Sequence, residues 1–120
     1  MRIVIVMPTY NERQNIEQMI DVLFKKEFPN IRNHEMHLLV VDGNSPDDTA
    51  SAVRAKMMQY KNLELIVEKE KRGLGMAYIS GMNYAVKTMK ADAFIEFDGD
   101  FQHDPKDIKR LVAELDGGYD

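Results

Sequence analysis

The sequence predicts a three-layer α/β/α fold in which a mostly parallel sheet is covered by helices on both faces. Short runs of apolar, β-branched residues recur along the chain, and each is followed by a longer segment with apolar residues at helical spacing. Polar loops rich in glycine, asparagine and aspartate separate the two kinds of segment. Strands that alternate with helices in this way are joined by right-handed crossovers, which make the strands parallel.

The first predicted strand is the apolar run IVIVM at residues 3–7, which ends at Pro8. A continuous apolar run is typical of a strand buried on both faces, so we expect this strand at the centre of the sheet. A polar loop follows, and Asn11 or Asn15 is then a candidate N-cap for the first helix. The apolar side of this helix is formed by Ile16, Met19, Ile20 and Leu23.

The second predicted strand, residues 38–41, leads into a polar segment that begins at Asp42. In this segment Asp47, Asp48 and Thr49 carry the short side-chain oxygens that cap helices, so we interpret them as the start of the second helix. One side of that helix is formed by Ala52, Val53, Lys56 and Met57.

The third predicted strand covers residues 63–67, and the loop with Gly73 and Gly75 opens a third helix that runs to about Met89. This loop superficially resembles the glycine fingerprint of dinucleotide-binding domains. It follows the third strand and has Tyr78 where that fingerprint has its last glycine, so we reject a dehydrogenase.

The fourth predicted strand covers residues 93–97, and Pro105 occupies the first turn of the helix that follows. This helix has an apolar stripe and ends at Gly117. The stripe consists of Ile108, Leu111, Val112 and Leu115. Ligands of parallel sheets bind at the carboxyl ends of the strands, so the loops that follow the four strands are the candidate sites.

The composition limits which functions are compatible with the chain. Its 120 residues fit one domain, which we expect to be incomplete on its C-terminal side, and no apolar run is long enough to cross a bilayer. Twenty acidic residues exceed sixteen Lys plus Arg, so nucleic acid is not an expected partner. Because cysteine is absent, any metal must be held by oxygen or imidazole. We expect a cytoplasmic protein.

The segment after the fourth strand carries the strongest local signal for a metal site. Asp98, Asp100 and Gln102 alternate in sequence, so in an extended backbone their side chains lie on one side. Two carboxylates suffice for Mg²⁺ when diphosphate oxygens complete its shell, and Gly99 leaves room for a phosphate or ribose to approach the backbone. The alternative is an acidic turn that caps a helix. We leave His103 outside the site.

The loops after the first two strands contain candidate nucleotide contacts. Tyr10 offers an aromatic face for a base or ribose, and Glu12 accepts hydrogen bonds from ribose hydroxyls or base N–H groups. Alternatively, Asn11 and Glu12 only form the start of a helix. Asp42 ends the second strand, where acidic residues of nucleotide-binding α/β folds accept hydrogen bonds from a base or sugar.

Four segments occur in the order expected for one enzyme family: PTYNE, VVDGNSPDDT, RGLGMAYISGM and FDGDFQHDP. Together they resemble the polyprenyl-phosphate sugar synthases, and most closely the dolichol-phosphate mannose synthases. These enzymes are inverting family 2 glycosyltransferases with a GT-A fold. The resemblance extends from residue 3 to about residue 115 and implies that the chain is the Rossmann-like, nucleotide-sugar-binding half of such a fold.

The resemblance also implies roles for individual residues. Pro8, Tyr10 and Glu12 line the nucleoside pocket, and Asp42 contacts the base or ribose. The diphosphate and a Mg²⁺ or Mn²⁺ ion are held by Asp98, Gly99, Asp100 and Gln102, where Asp98, Asp100 and Gln102 are the metal ligands and Asp100 is the catalytic residue. The implied donor is GDP-mannose, with UDP-glucose or another nucleotide sugar as alternatives. The implied acceptor is a polyprenyl phosphate at the cytosolic face of a membrane.

Two positions and the length of the chain depart from the family pattern. Gly43 stands where the family commonly has a second aspartate, which leaves the donor base open. Asp48 stands where the family commonly has glycine, so we expect a backbone turn with positive φ there. The family continues beyond the metal motif, and we therefore expect an exposed sheet edge through which the chain self-associates.

The implied reaction is attack of an acceptor phosphate oxygen on the anomeric carbon of the sugar, with inversion. A phosphate monoester is largely ionised at neutral pH, so no protein base is required.

Two other functions remain open. One is a nucleotide-binding module without transfer activity, which binds but does not turn over. The other is a receiver-like signalling domain, which leaves the PTYNE and Asp98 to Gln102 segments unexplained.

Overall fold

The computed structural model describes residues 1–69, 73–97 and 104–117, which form one α/β unit. The strands are β1 (Arg2–Thr9), β2 (Glu35–Asp42), β3 (Leu63–Val67) and β4 (Ala93–Glu96). The helices are α1 (Arg13–Val22), α2 (Thr49–Met57), α3 (Leu74–Lys87) and α4 (Asp107–Asp116). All strand pairs are parallel, and the order across the sheet is β3, β2, β1, β4. The predicted α/β class and parallel sheet are confirmed.

Strand β1 lies at the centre of the sheet, between β2 and β4, as its apolar run predicted. It extends further than expected, because Pro8 lies inside the strand and pairs with Val41 of β2. The pairing with β4 ends at Val6, opposite Glu96. A proline lacks a backbone N–H, and Pro8 lies beyond the pairs that β1 makes with the described residues of β4.

Helices cover both faces of the sheet, but unequally. Helices α1, α2 and α4 contribute buried residues to a core on one face, which includes Ile5, Leu38 and Val53. Helix α3 packs on the other face, with Ala77 and Ala85 in its core. The three layers expected from the sequence are therefore present, with more helices on one side than on the other.

Helix α3 approaches β1 and β2 closely because residue 81 is glycine. A Cβ atom at Gly81 would lie 2.3 Å from Cγ1 of Val6 and 3.0 Å from Cγ2 of Val41. Real Cβ atoms essentially never come closer than 3.0 Å to another heavy atom, so only glycine fits here without displacement of Val6 or the helix. Gly81 thereby sets the depth at which α3 lies on the sheet.

The helix ends differ from the sequence predictions in three places. Glu12, and neither Asn11 nor Asn15, is the N-cap residue of α1, because Asn11 belongs to the preceding turn and Asn15 lies inside the helix. After α1 the chain continues through a π-helical turn, Leu23–Glu27, and a 3₁₀ turn, Phe28–Asn30. Helix α4 begins at Asp107, so Pro105 lies in the turn before it.

Within the described residues, none of the helices combines the length and the apolar character that a membrane span requires.

Candidate functional site

The candidate site lies at the carboxyl ends of the strands, near the point where the sheet changes direction. The chain adds β2 and β3 on one side of β1 and then returns to place β4 on the other side. In such sheets the loops that follow the two strands on either side of the reversal diverge and leave a crevice for a ligand. Here these are the β1–α1 loop, residues 10–12, and the segment after β4.

Two of the predicted nucleotide contacts lie in the β1–α1 loop with accessible surface. Tyr10 is 37% exposed, and Glu12 is half-buried. Pro8, the third predicted contact, is buried within β1. The structure thus places Tyr10 and Glu12 where a ligand can reach them and Pro8 just beneath them in the strand.

Asp42 is placed differently from the sequence expectation, because its side chain has no exposed surface. Its Oδ1 atom accepts hydrogen bonds from the Thr9 hydroxyl at 2.8 Å and the Ser45 hydroxyl at 2.6 Å. Its Oδ2 atom accepts one from the Ser45 amide at 2.9 Å. The carboxylate is therefore bound within the chain, as a buried charge must be to avoid a large desolvation cost.

The β1–α1 loop is held by the β2–α2 loop, residues 43–48, and by the start of α2. The amide of Asn11 donates to the Ser45 hydroxyl at 2.9 Å, and the next amide, of Glu12, donates to the Thr49 hydroxyl at 3.1 Å. The third amide, of Arg13, donates to Oδ2 of Asp47 at 3.1 Å. Three successive backbone donors at the start of α1 are thus satisfied by side chains of the neighbouring segment.

Both loops contain residues in the left-handed region of backbone conformation. The φ angles are 55° at Asn11, 60° at Asn44 and 66° at Asp48. The positive φ expected at Asp48 is confirmed. Asparagine and aspartate tolerate this conformation better than most residues, so the sequence contains suitable residue types at all three turns.

The predicted capping role of the residues before α2 belongs mainly to Asp47. Its Oδ1 atom accepts hydrogen bonds from the Thr49 amide at 3.0 Å and the Thr49 hydroxyl at 2.5 Å. Although burial alone raises it, the hydrogen bonds from Thr49 and Arg13 hold the pKa of Asp47 below its ordinary value. Asp47 is therefore ionised at neutral pH, where it can fix the amide of Arg13.

The end of β3 adds a buried acid that the sequence analysis did not identify. Glu68 is 9% exposed, accepts a hydrogen bond from the Ser80 hydroxyl at 3.2 Å, and donates its amide to the Asp42 carbonyl at 2.8 Å. The side-chain amide of Asn44 donates to the Lys69 carbonyl at 3.1 Å. These bonds connect the β2 and β3 ends, and only the strand order reveals that they are neighbours.

The predicted metal ligands Asp98, Asp100 and Gln102, together with Gly99, lie outside the described residues. The last described residue before them is Phe97, whose amide donates to the Val6 carbonyl of β1 at 2.9 Å. Phe97 therefore lies beside the carboxyl half of β1. Among the described residues, no three His, Asp or Glu side chains are close enough together to hold a metal ion.

Comparison with known proteins identifies relatives along the full chain. The chain is 31% identical to a polyprenol monophosphomannose synthase of Mycolicibacterium smegmatis over 99% of its own length and 43% of that protein. It is also 31% identical to a dolichol-phosphate mannosyltransferase of Pyrococcus furiosus, over 100% of the chain and 32% of that protein. The chain thus spans less than half the length of the curated relatives it matches.

A solved structure and a family model agree with these relatives. A mannosyltransferase from Pyrobaculum calidifontis, solved in complex with GDP-Man and Mn²⁺, superposes with a TM-score of 0.70 at 27% identity, covering 94% of this chain and 31% of that one. The fold is the Rossmann-like half of a GT-A glycosyltransferase. Residues 4–120 match the model of glycosyl transferase family 2. The chain therefore belongs to the family 2 glycosyltransferases.

Proposed function

We propose that this chain carries the donor site of a glycosyltransferase that moves a hexose, most readily mannose, from GDP-mannose to a polyprenyl phosphate. The observation that carries the proposal is the β1–α1 loop of a family 2 fold, in which Tyr10 and Glu12 have accessible surface at the carboxyl end of the central strand. Two mannosyl transferases are among the relatives at 31% identity, and the Pyrobaculum enzyme was solved with GDP-Man. These relatives and this complex support mannose as the sugar that is transferred.

Within this proposal Tyr10 packs against the base or ribose, and Glu12 accepts hydrogen bonds from ribose hydroxyls or base N–H groups. Pro8 shapes the floor of the pocket from its buried place in β1. Gly43 follows β2 at the position where the family commonly has a second aspartate. A candidate base contact is missing there, so we keep UDP sugars as the alternative donors to GDP-mannose.

Asp98, Asp100 and Gln102 are proposed to hold a Mg²⁺ or Mn²⁺ ion, and Gly99 is proposed to admit the diphosphate. The residue types fit the group, because hard divalent cations prefer carboxylate and amide oxygens. When bound, such an ion neutralises the negative charge that develops on the departing nucleoside diphosphate, which is the catalytic role we assign to Asp100 as its ligand.

The proposed reaction breaks the bond between the anomeric carbon and the diphosphate oxygen. An oxygen of the acceptor phosphate attacks that carbon from the opposite side, so the configuration inverts. Because the acceptor phosphate is already largely ionised at neutral pH, no side chain has to remove a proton from it. Tyr10 and Glu12 contribute by holding the donor so that its anomeric carbon faces the acceptor.

A polyprenyl phosphate resides in a membrane, so the proposed enzyme works at the cytosolic membrane surface as a peripheral protein.

We also propose that the chain self-associates through the outer edge of β4, within the part of the sheet that the structure describes.

The donor site is tested by calorimetric titration of GDP and UDP into the chain, with Mn²⁺ and with a chelator. We expect nucleotide binding to depend on the metal and to weaken by roughly 10–100-fold or more in Asp100→Ala. Loss of the groups that hydrogen-bond to a metal ligand already costs this much, and loss of the metal ligand itself costs at least as much. Asp107→Ala is the matched control, because it also removes an aspartate carboxylate, but from the first turn of α4 and not from the predicted metal ligands. A folded chain that binds neither nucleotide would contradict the proposal.

A further inference from the structure

The loops after β1 and β2 form one hydrogen-bonded unit. Thr9 and Asp42 are register partners in the sheet, and the Thr9 hydroxyl donates to Asp42 at 2.8 Å. The Gly43 amide also donates to the Thr9 carbonyl at 3.0 Å, beyond the last residue of β2. The ends of the two strands therefore cannot move independently, and both loops start from fixed positions.

A continuous chain of hydrogen bonds connects buried Asp42 to the β1–α1 loop. The carboxylate accepts the hydroxyl hydrogen of Ser45 at 2.6 Å, which leaves the lone pairs of that oxygen free to accept the Asn11 amide at 2.9 Å. Ser45 is itself buried. Charge-assisted bonds of this kind are stronger than neutral ones, so Asp42 fixes the orientation of the Ser45 hydroxyl.

Thr49 provides a second, parallel connection one residue further along the loop. Its hydroxyl is fully buried, accepts the Glu12 amide at 3.1 Å and donates to Asp47 at 2.5 Å. Free amides at the start of a helix commonly bind an anionic ligand. Here the amides at the start of α1 already donate to side chains of the neighbouring segment, so these hydrogen bonds fix the loop and do not bind a ligand.

We infer that Asp42, Ser45 and Thr49 are positioning residues that hold the β1–α1 loop in the conformation that presents Tyr10 and Glu12 to the nucleotide. This inference rests on the proposed function and replaces the direct base or ribose contact expected for Asp42, which its lack of exposed surface opposes. The loop is preorganised, so nucleotide binding does not have to order it.

The test compares the full chain with Ser45→Ala, which removes the hydroxyl between Asp42 and Asn11, and with Thr49→Val, which removes the hydroxyl at Glu12. Apparent affinity falls in proportion to the fraction of loops in the competent conformation, so we expect GDP or UDP to bind about tenfold more weakly to each variant. Ser45→Thr restores a hydroxyl and should recover most of the affinity. Ser51→Ala is the control, because Ser51 is exposed and its hydroxyl donates to the Asp48 carboxylate rather than to the β1–α1 loop.

Amide hydrogen exchange gives a readout that does not depend on nucleotide. The amides of Asn11 and Glu12 should exchange at least several-fold faster in Ser45→Ala and Thr49→Val, whereas those of β1 keep their protection. Unchanged affinity and unchanged exchange in both variants would overturn the inference. If the unaltered chain binds neither nucleotide, the proposed function fails, but exchange at Asn11 and Glu12 still decides whether these hydroxyls position the loop.

Discussion

At the scale of single residues, Asp21 of α1 shows how a part-buried carboxylate joins two helices. Its two oxygens accept hydrogen bonds from Nζ of Lys56 at 3.0 and 2.8 Å, and Oδ1 also accepts the Tyr60 hydroxyl at 2.7 Å. The bonds from Lys56 and then Tyr60 hold the pKa of Asp21 below its ordinary value. Burial, together with Asp21, raises the pKa of Tyr60 to about 12.

This arrangement predicts a pH-dependent contribution of Asp21 to stability. A carboxylate whose folded pKa is depressed stabilises the fold above its unfolded pKa, and this contribution is lost as pH falls through the folded pKa. We therefore expect Asp21→Asn to lower the free energy of unfolding by about 1–2 kcal/mol at pH 7. The difference should disappear when denaturant unfolding is repeated at a pH below the depressed pKa.

Tyr60→Phe serves as the companion variant. It removes the hydroxyl but keeps the ring, which stacks on Phe24 with centroids 4.5 Å apart. Its effect should be about 1 kcal/mol or less at pH 7, because one hydrogen bond to Asp21 is lost while the Lys56 pair remains. A constant difference between the unaltered chain and Asp21→Asn at every pH would contradict the ionic explanation.

At the scale of secondary-structure elements, the close packing of α3 on the sheet gives a second prediction. Gly81→Ala places a methyl group 2.3 Å from Cγ1 of Val6, so Val6 or the helix must move. Overpacking of this kind costs about 1–3 kcal/mol. We expect a loss of that size in the free energy of unfolding, measured by denaturant titration.

The same helix offers a matched control. A Cβ atom at Gly75 would meet no heavy atom of the described residues within 4 Å, so Gly75→Ala should stabilise the chain by about 0.5–1 kcal/mol through helix propensity. Combining Gly81→Ala with Val6→Ala should cost less than the sum of the two single losses, because the smaller side chain makes room for the methyl group. Equal effects of the two glycine substitutions would contradict the close-packing explanation.

The sequence predicted those elements that depend on local pattern. All four strands and all four helices occur where apolar periodicity placed them, and the central position of β1 followed from its continuous apolar run. The positive φ at Asp48 was predicted because this residue stands where the family commonly has glycine. These features are determined within a few neighbouring residues, which is the range over which pattern is informative.

Features that depend on distant partners were missed. Asp42 looked like a ligand because its burial depends in part on Thr9 of β1, which the sheet register brings to it. The turns after α1 lie beside the stack of Phe24 on Tyr60, two residues far apart in sequence. The tight fit of Gly81 against Val6 likewise exists only after α3 has packed on the sheet. The predicted metal ligands lie outside the described residues and stay predictions.

At the scale of the whole molecule, the outer edge of β4 is a surface suited to self-association. Within the described part of the sheet β4 pairs only with β1. A groove of about 800 Å³ runs along it. Apolar residues of β4 and the flanking helices line this groove: Val86, Phe94, Ile95, Leu111 and Leu115. An unpaired strand edge that lies beside apolar side chains commonly pairs with the same edge of a second protein molecule.

We expect a concentration-dependent dimer, detectable by sedimentation velocity. Val86 is 49% exposed in the groove, so Val86→Lys should weaken the dimer by about tenfold, since a charge must then be buried or displaced. Met58→Lys is the control, because Met58 is 93% exposed and does not line the groove. Added salt should strengthen the dimer, because Asp92, Glu96 and Glu114 of two copies repel each other. A monomer at all concentrations would contradict this expectation.

The position of β1 between β2 and β4 also bears on the order in which a new chain folds during synthesis. Ile3 of β1 pairs with Met36 on one side but with Ala93 on the other. The β2 side can therefore close early, whereas the β4 side waits for most of the chain. At a synthesis rate of about 5–20 residues per second, the second edge of β1 stays unpaired for several seconds on the ribosome. During that interval the edge of β1 that later pairs with β4 stays uncovered, which makes it the segment that a nascent-chain chaperone would meet.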